Sequence, residues 1–278
     1  MRTFCVAFLL LAGTASAQWV NHPTPGTPRT RDGKPNLTAP APRANGKPDL
    51  SGVWHVVPTP LDEMKRLFGP NVDATSVPGM EPDSVSKYAL NILADFKPED
   101  APMRPGAAAL FGERARSFAK DHPGAKCLPL GLPFAYLVSE VTKIVQTPGQ
   151  IVMLFESDGS HRQIYTDGRT LPPNPDPVWL GYSVGTWEGT TIVVNTVGFN
   201  DKSWLDGIGH PHSEALRLPE RFRRRDFWHL DEEFTIDDPQ MYTRPFTFKL
   251  THALVPDTDV GEFFCNENEK DRARMDVK

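Results

Sequence analysis

The sequence predicts a mainly β protein: an antiparallel meander that forms a barrel or a strongly curved sheet, with a helical insertion at about residues 61–121. From residue 137 onward, runs rich in β-branched and aromatic residues alternate with polar residues at a period of two. Turn signals such as Pro148-Gly149 and Glu188-Gly189 separate these runs at hairpin spacing. Closure into a barrel would remove the exposed edges, and a β-sandwich is the alternative.

The N-terminal residues 1–17 are predicted to be a cleavable signal peptide. Arg2 supplies a positive charge, Phe4 to Gly13 form an apolar stretch, and Ala15-Ser16-Ala17 supply the small residues needed for a cut after Ala17. The apolar stretch is shorter than the roughly 20 residues of a membrane-spanning helix. We therefore expect a periplasmic or secreted protein whose mature form does not insert into a membrane.

Three further regions precede or follow the meander. Residues 18–50 are rich in proline and glycine and are predicted to form an extended arm. Residues 51–58 alternate and are predicted to be the first strand of a single β domain over 51–268, which is followed by a polar tail over 269–278. Apolar residues recur at helical spacing in three segments of the insertion: Leu61–Phe68, Ser84–Phe96 and Ala107–Lys120.

The remaining strands follow as hairpins, and two cysteines lie outside the signal peptide. In an oxidising compartment Cys127 and Cys265 are expected to form a disulfide between the middle of the chain and its C-terminal strand, which would contribute about 2–4 kcal/mol. Two buried free thiols are the alternative. The predicted strands are Val141–Gln146, Ile151–Glu156, Arg162–Asp167, Tyr182–Trp187, Thr191–Thr196, Leu216–Arg224, Glu232–Asp237, Phe246–Leu254 and Gly261–Asn266.

The segment from Asp201 to Glu214 is rich in glycine and polar residues and is not predicted to be a strand. His210, His212 and Glu214 are two residues apart, so in an extended chain their side chains would share one face, about 6.5–7 Å apart. With Asp206 upstream they are candidate catalytic residues, a histidine as base and Glu214 or Asp206 as the acid or orienting carboxylate. The same three could hold a divalent metal, or the loop could be purely structural.

A second polar group of residues lies in the strand predicted after Ser160. Alternation places the polar side chains of this strand on one face. That face could line the wet interior of a barrel that holds a ligand, or it could face the solvent, in which case Ile164 contacts the core. Tryptophans 179, 187 and 204 flank the polar segments and could line an apolar or sugar-stacking pocket. The candidate substrate-binding residues are His161, Tyr165, Asp167, Arg169, Trp187 and Trp204, with Gln163 on the same face as the first three.

Charge and motifs exclude several classes of function. The four arginines of Glu220–Asp226 could form an anion site, but cross-strand ion pairs with Asp231, Glu232 and Glu233 on a solvated face are the preferred explanation. A formal net charge of −5 gives no electrostatic footprint for nucleic acid. The sequence has no Gly-rich phosphate loop, Gly-x-Ser-x-Gly or His-Glu-x-x-His motif, which argues against nucleotide enzymes, α/β-hydrolases and zincins.

Several short motifs occur together in this chain: PDLSGVW at 48–54, IYTDGR at 164–169, WEG at 187–189, GFN at 198–200, HPHS at 210–213, ERF at 220–222 and DDP at 237–239. As a set they resemble an abundant family of exported, uncharacterised bacterial proteins of lipocalin-like character, over roughly residues 48–268. Gly52-Val53-Trp54 is similar to the Gly-x-Trp at the start of lipocalin-like barrels, where the tryptophan plugs the barrel floor. Members usually have Asp where this chain has Thr190. The resemblance implies export and a β fold, and it assigns no catalytic residue.

We therefore expect one of three functions. The first is an exported enzyme that hydrolyses, eliminates or isomerises an aromatic or glycosidic compound by histidine and carboxylate acid–base chemistry, without an organic cofactor. The second is a non-catalytic, lipocalin-like protein that binds a hydrophobic small molecule. The third is an enzyme that depends on a divalent metal.

Overall fold

The computed structural model describes residues 23–72, 83–117 and 120–265. The predicted signal peptide (1–17) and the predicted polar tail (269–278) lie outside the described residues. Three α-helices are found in the described part of the chain, α1 (Leu61–Phe68), α2 (Lys87–Leu90) and α3 (Pro105–Arg116). The strands are β1 (Arg43–Ala44), β2 (Lys47–Pro48), β3 (Gly52–Val56), β4 (Thr142–Thr147), β5 (Gln150–Phe155), β6 (His161–Tyr165), β7 (Tyr182–Glu188), β8 (Thr191–Val197), β9 (Leu218–Arg224), β10 (His229–Ile236) and β11 (Phe246–Leu254).

Strands β3 to β11 form a closed barrel, which confirms the predicted mainly β architecture. The barrel closes because β3 pairs with both β4 and β11. All neighbouring strands are antiparallel except β6 and β7, which pair in parallel with Ile164 opposite Ser183. A parallel pair requires a crossing connection, here residues 166–181. The sheet is therefore mixed, and not the uniform meander that the turn signals predicted.

The helical insertion is smaller than predicted. The segment Ser84–Phe96 contains only the short α2, because the Asn91 side chain accepts the N–H of Leu93 at 2.8 Å and turns the chain out of the helix. Helix α1 matches its prediction and ends before Gly69, whose φ of 100° is accessible mainly to glycine. No helix in the described residues is both long and apolar enough to cross a membrane.

Two predictions at the ends of the chain need correction. The proline-rich arm contains a small hairpin, β1–β2, whose Asn45-Gly46 turn has positive φ at both residues, as in a type I′ turn. Cys127 and Cys265 form the predicted disulfide, with Cα atoms 5.5 Å apart. However, residues 261–265 form no strand, so the predicted strand there is wrong and the bridge holds an irregular segment.

Trp54 and Arg224 close one end of the barrel. The Trp54 side chain is 1% exposed and donates from Nε1 to the carbonyl of Leu50 at 3.0 Å. The Arg224 guanidinium lies over its ring at 4.8 Å and donates to the backbone carbonyls of Asp49 and Ser51. These contacts bury Trp54 beneath the Arg224 guanidinium, and its role as the floor of a lipocalin-like barrel stays a prediction.

Tyr136 fills the barrel interior. A 3₁₀ turn over Phe134–Tyr136 brings this side chain against the rings of Phe155 and Phe234, each 5.2 Å from it between centroids. Its hydroxyl accepts a hydrogen bond from Arg162 at 2.6 Å, and its carbonyl accepts one from His252 at 3.1 Å. The interior is therefore occupied by the protein's own side chains.

Arg162 and Glu220 form a fully buried ion pair beside Tyr136, with both side chains at 0% exposure. Arg162 also donates to the hydroxyls of Ser183 and Thr196, so its guanidinium is enclosed by acceptors. Burial raises the pKa of Glu220, and the adjacent guanidinium opposes that rise. The pair therefore depends on both partners being present.

The prediction that Glu220–Asp226 forms a solvated, ion-paired face is half right. Arg221 and Arg225 point outward and pair with Glu188 and Asp231, each at 3.0 Å. Glu220 and Arg224 point inward, because they share the strand phase of buried Phe222. On β10, Glu232 also points inward and faces His252, with Oε2 and Nδ1 3.3 Å apart.

Glu220→Ala would leave the buried Arg162 without its counter-ion, so we expect a loss of about 3–5 kcal/mol in the free energy of unfolding. Urea titration measures this loss. Glu188→Ala, which breaks the exposed pair with Arg221, is the matched control and should cost less than about 1 kcal/mol. Equal losses for the two variants would contradict the importance of the interior pair.

Candidate functional site

Asp206 organises the loop between β8 and β9 (residues 198–217, the β8–β9 loop). Its carboxylate is completely buried, and Oδ1 accepts the backbone N–H groups of Ile208, Gly209 and His210 at 2.9–3.2 Å. Oδ2 accepts the N–H of Ile92 at 2.7 Å and the Nδ1–H of His210 at 2.5 Å. One side chain thus fixes the turn of the loop and ties it to the helical insertion.

His210 is oriented by Asp206, as expected for a base and its orienting carboxylate. Its ring is 3% exposed and stacks on Phe111 of α3, with centroids 4.2 Å apart. Asp206 accepts the Nδ1–H of His210, so a neutral ring would have its lone pair on Nε2, which makes no hydrogen bond to any described residue. The pair therefore has the geometry of an acid–base group, beneath an aromatic cover.

His212 is bonded at both ring nitrogens. Nε2 accepts the hydroxyl of Ser203 at 2.7 Å, and Nδ1 donates to the carbonyl of Ser213 at 3.2 Å. Burial lowers the pKa of His212, which favours the neutral ring that this arrangement requires. Ser213 is itself held by Asp238, which accepts its N–H and its hydroxyl. The hydrogen bonds of His212 therefore connect Ser203, near the start of the β8–β9 loop, to Ser213, near its end.

The prediction that His210, His212 and Glu214 share one face is wrong. The chain turns at Glu214 because the Ser213 hydroxyl accepts the N–H of Ala215 at 3.1 Å, so Glu214 is exposed whereas both histidines are buried. Glu214 lies at the rim of a separate cleft of about 1010 Å³ beside residues 171–177. Among the described residues, no three His, Cys, Asp or Glu side chains are grouped so as to hold a metal ion.

The polar residues of β6 lie on the outside of the barrel, so the interior alternative is wrong. His161 and Gln163 are exposed, whereas Arg162 and Ile164 point inward. Asp167 pairs with Arg169 at 2.7 Å on the surface, and that guanidinium covers the Tyr165 ring at 3.7 Å. His161 and Tyr165 line a cleft of about 470 Å³ with Trp179, whereas Trp187 is partly buried against the core.

A different cleft, of about 430 Å³, lies between α3 and the β8–β9 loop. We call it the Arg114 cleft. Trp204 is at its wall, 2% exposed, with the Arg114 guanidinium over its ring at 4.7 Å. The cleft is defined by Leu110, Arg114, Leu128, Trp179, Asp201 and Trp204.

Arg114 is positioned by the β8–β9 loop. Its Nη1 donates to the carbonyl of Gly209 at 3.0 Å. Gly209 has a φ of 108°, and a Cβ there would lie 2.9 Å from Arg114 Cβ, so the close approach requires glycine. Burial lowers the pKa of Arg114. Sequence reasoning missed this residue because it lies 95 positions before its loop partner, and no local pattern marks it.

His122 lies behind the cleft, edge-on to Trp204 at 4.8 Å. Its Nδ1 accepts the N–H of Gly124 at 3.0 Å, so the ring proton is on Nε2, which is buried and has no hydrogen-bond partner in the described structure. Burial lowers the pKa of His122 from 6.5 to about 4.

This shift predicts a loss of stability in mild acid. Between pH 6.5 and 4 the unfolded chain binds a proton at His122 and the folded protein does not, so stability is complete above pH 6.5 and falls as the pH approaches 4. The contribution is at most about 3 kcal/mol. His122→Asn, which keeps an acceptor for Gly124, should flatten the profile measured by urea titration at several pH values.

His161→Asn on the outer face of β6 leaves His122 and the buried histidines His210, His212 and His252 in place and is the matched control. It should keep the slope of the unaltered protein. An unchanged slope in His122→Asn would contradict the assignment of acid sensitivity to this ring.

The chain was compared with protein-family models, with curated proteins and with solved structures, and none of the three comparisons gives a match. The function proposed for the protein therefore rests on its own residues and their geometry.

Proposed function

We propose that the protein is exported and binds a small organic molecule in the Arg114 cleft. One observation carries this proposal: Asp206, His210 and His212 of the β8–β9 loop are bonded inward, while the outer surface of the loop forms a wall of the cleft beside Trp204. A volume of about 430 Å³ is within the range of small-molecule sites. The predicted signal peptide and the Cys127–Cys265 disulfide support an oxidising, extracytoplasmic location.

The filled barrel supports an outer site in preference to an inner one. Tyr136 occupies the interior, and the Arg162–Glu220 pair beside it has its donors and acceptors satisfied. A ligand in the barrel would have to displace this aromatic side chain and expose a buried ion pair. The Arg114 cleft needs no such change and offers Trp179 and Leu128 as apolar surfaces.

Trp179→Ala should weaken binding about three- to tenfold, because one ring contact contributes about 0.5–1.5 kcal/mol. The ligand is first identified by native mass spectrometry of the purified protein and by a thermal-shift panel of aromatic and glycosidic compounds. Trp187→Ala is the matched control and should bind normally, because Trp187 is also partly buried but does not line the cleft. Equal affinity of the Trp179 variant and the unaltered protein would contradict the proposed site.

We propose acid–base catalysis as a second candidate function, because His210 is oriented by Asp206 and its Nε2 is unbonded among the described residues. In that role Nε2 would accept a proton from a substrate bound beside α3, and the Asp206 carboxylate would stabilise the imidazolium that forms. The substrate would be an aromatic or glycosidic compound that undergoes hydrolysis, elimination or isomerisation. Phe111 covers the ring, so the substrate must displace this side chain.

His210→Gln should reduce turnover of any compound that the protein converts by at least about a hundredfold, the usual contribution of a general base. His229→Gln is the matched control, because His229 also pairs with a carboxylate, Asp226, at 3.0 Å but lies at the surface. Circular dichroism confirms folding of both variants. Undiminished turnover in folded His210→Gln would exclude this candidate function.

A further inference from the structure

Arg114 uses little of its hydrogen-bonding capacity. A guanidinium has five N–H donors, and the described structure gives Arg114 one hydrogen bond, from Nη1 to the carbonyl of Gly209. It forms no ion pair with any described residue. Its side chain is nevertheless half-buried beside the cleft. No Arg114 nitrogen is among the buried unpartnered atoms of the described residues, so its unused donors reach the cleft or solvent and are available to a ligand that provides acceptors.

The guanidinium is also held in one orientation. Its central carbon lies over the Trp204 ring, 4.7 Å from the ring centroid, and its stem packs against Gly209, where no side chain intervenes. The hydrogen bond from Nη1 fixes one edge of the group to the β8–β9 loop. A planar fork held in this way can bind a carboxylate through two parallel N–H···O bonds with little loss of side-chain freedom.

The other charges around the cleft balance one another. The lining contains the carboxylates of Glu113, Asp121 and Asp201, and besides Arg114 it contains the cations Lys126 and Lys202; Asp121 pairs with Lys126 at 2.8 Å. The selection of an anion therefore depends on the Arg114 guanidinium and its planar donors. Trp179 and Leu128 provide apolar surface in the same cleft.

We infer that Arg114 binds the carboxylate of a small organic acid whose apolar part lies against Trp179 and Leu128. The inference rests on the proposed binding function of the Arg114 cleft and names the class of its ligand. It makes Arg114 the residue that selects acids over neutral compounds of the same shape.

The test uses benzoate as the probe, with benzamide as its neutral counterpart. Dissociation constants are measured by NMR titration of the full mature protein. Benzoate should bind at least about tenfold more tightly than benzamide, the value of a charged hydrogen-bonded pair. Arg114→Met should remove this preference, so that benzoate binds no better than benzamide.

Arg116→Met, on the exposed face of the same helix, is the matched control and should retain the preference for benzoate. Arg114→Lys keeps the charge but lacks the planar fork, and it should lie between the two methionine variants. The inference is overturned if the unaltered protein does not bind benzoate, if it binds benzoate and benzamide equally, or if Arg114→Met keeps the preference. Binding of benzamide that depends on both Trp179 and Leu128 would in each case leave the proposed function standing, because Leu128 lines the Arg114 cleft and not the cleft of His161.

Discussion

The buried ion pair between Arg162 and Glu220 constrains the rest of the molecule. Burying both charges is favourable only if every donor and acceptor finds a partner, and Tyr136 supplies one of these partners from the 3₁₀ turn that enters the barrel. In the segment before this turn, Leu128 lines the Arg114 cleft and His122 lies behind it, edge-on to Trp204. The same stretch of chain thus fills the barrel interior with Tyr136 and contributes to a cleft on the outside.

Asp206 is the corresponding constraint outside the barrel. By accepting a hydrogen bond from Ile92 as well as from its own loop, it fixes the distance between the helical insertion and the β8–β9 loop. Arg114 on α3 then reaches Gly209 next to His210. Asp206 and His210, which are catalytic candidates in the sequence, therefore form part of the framework of the cleft, and most of the side chains that line the cleft come from elsewhere in the chain.

The sequence predicts the fold better than the site, for physical reasons. Strand alternation identifies the barrel, and proximity along the chain suffices to predict that Asp206 meets His210. Alternation shows that Arg162 and Ile164 share one face of β6, but it does not tell which face points into the barrel, because the polar residues of the other face also suit a wet interior. Spacing alone puts Glu214 on the face of His210 and His212, because it does not include the side-chain hydrogen bond that turns the chain there. No sequence pattern identifies Arg114, since only tertiary folding brings it to the β8–β9 loop.

A crystal structure of the protein in complex with benzoate tests the central claim, that the ligand site lies outside the barrel. We predict benzoate density in the Arg114 cleft, with the carboxylate facing the guanidinium and the ring beside Trp179, while Tyr136 remains in the barrel. Density inside the barrel with Tyr136 displaced, or benzoate bound away from Arg114, would contradict it.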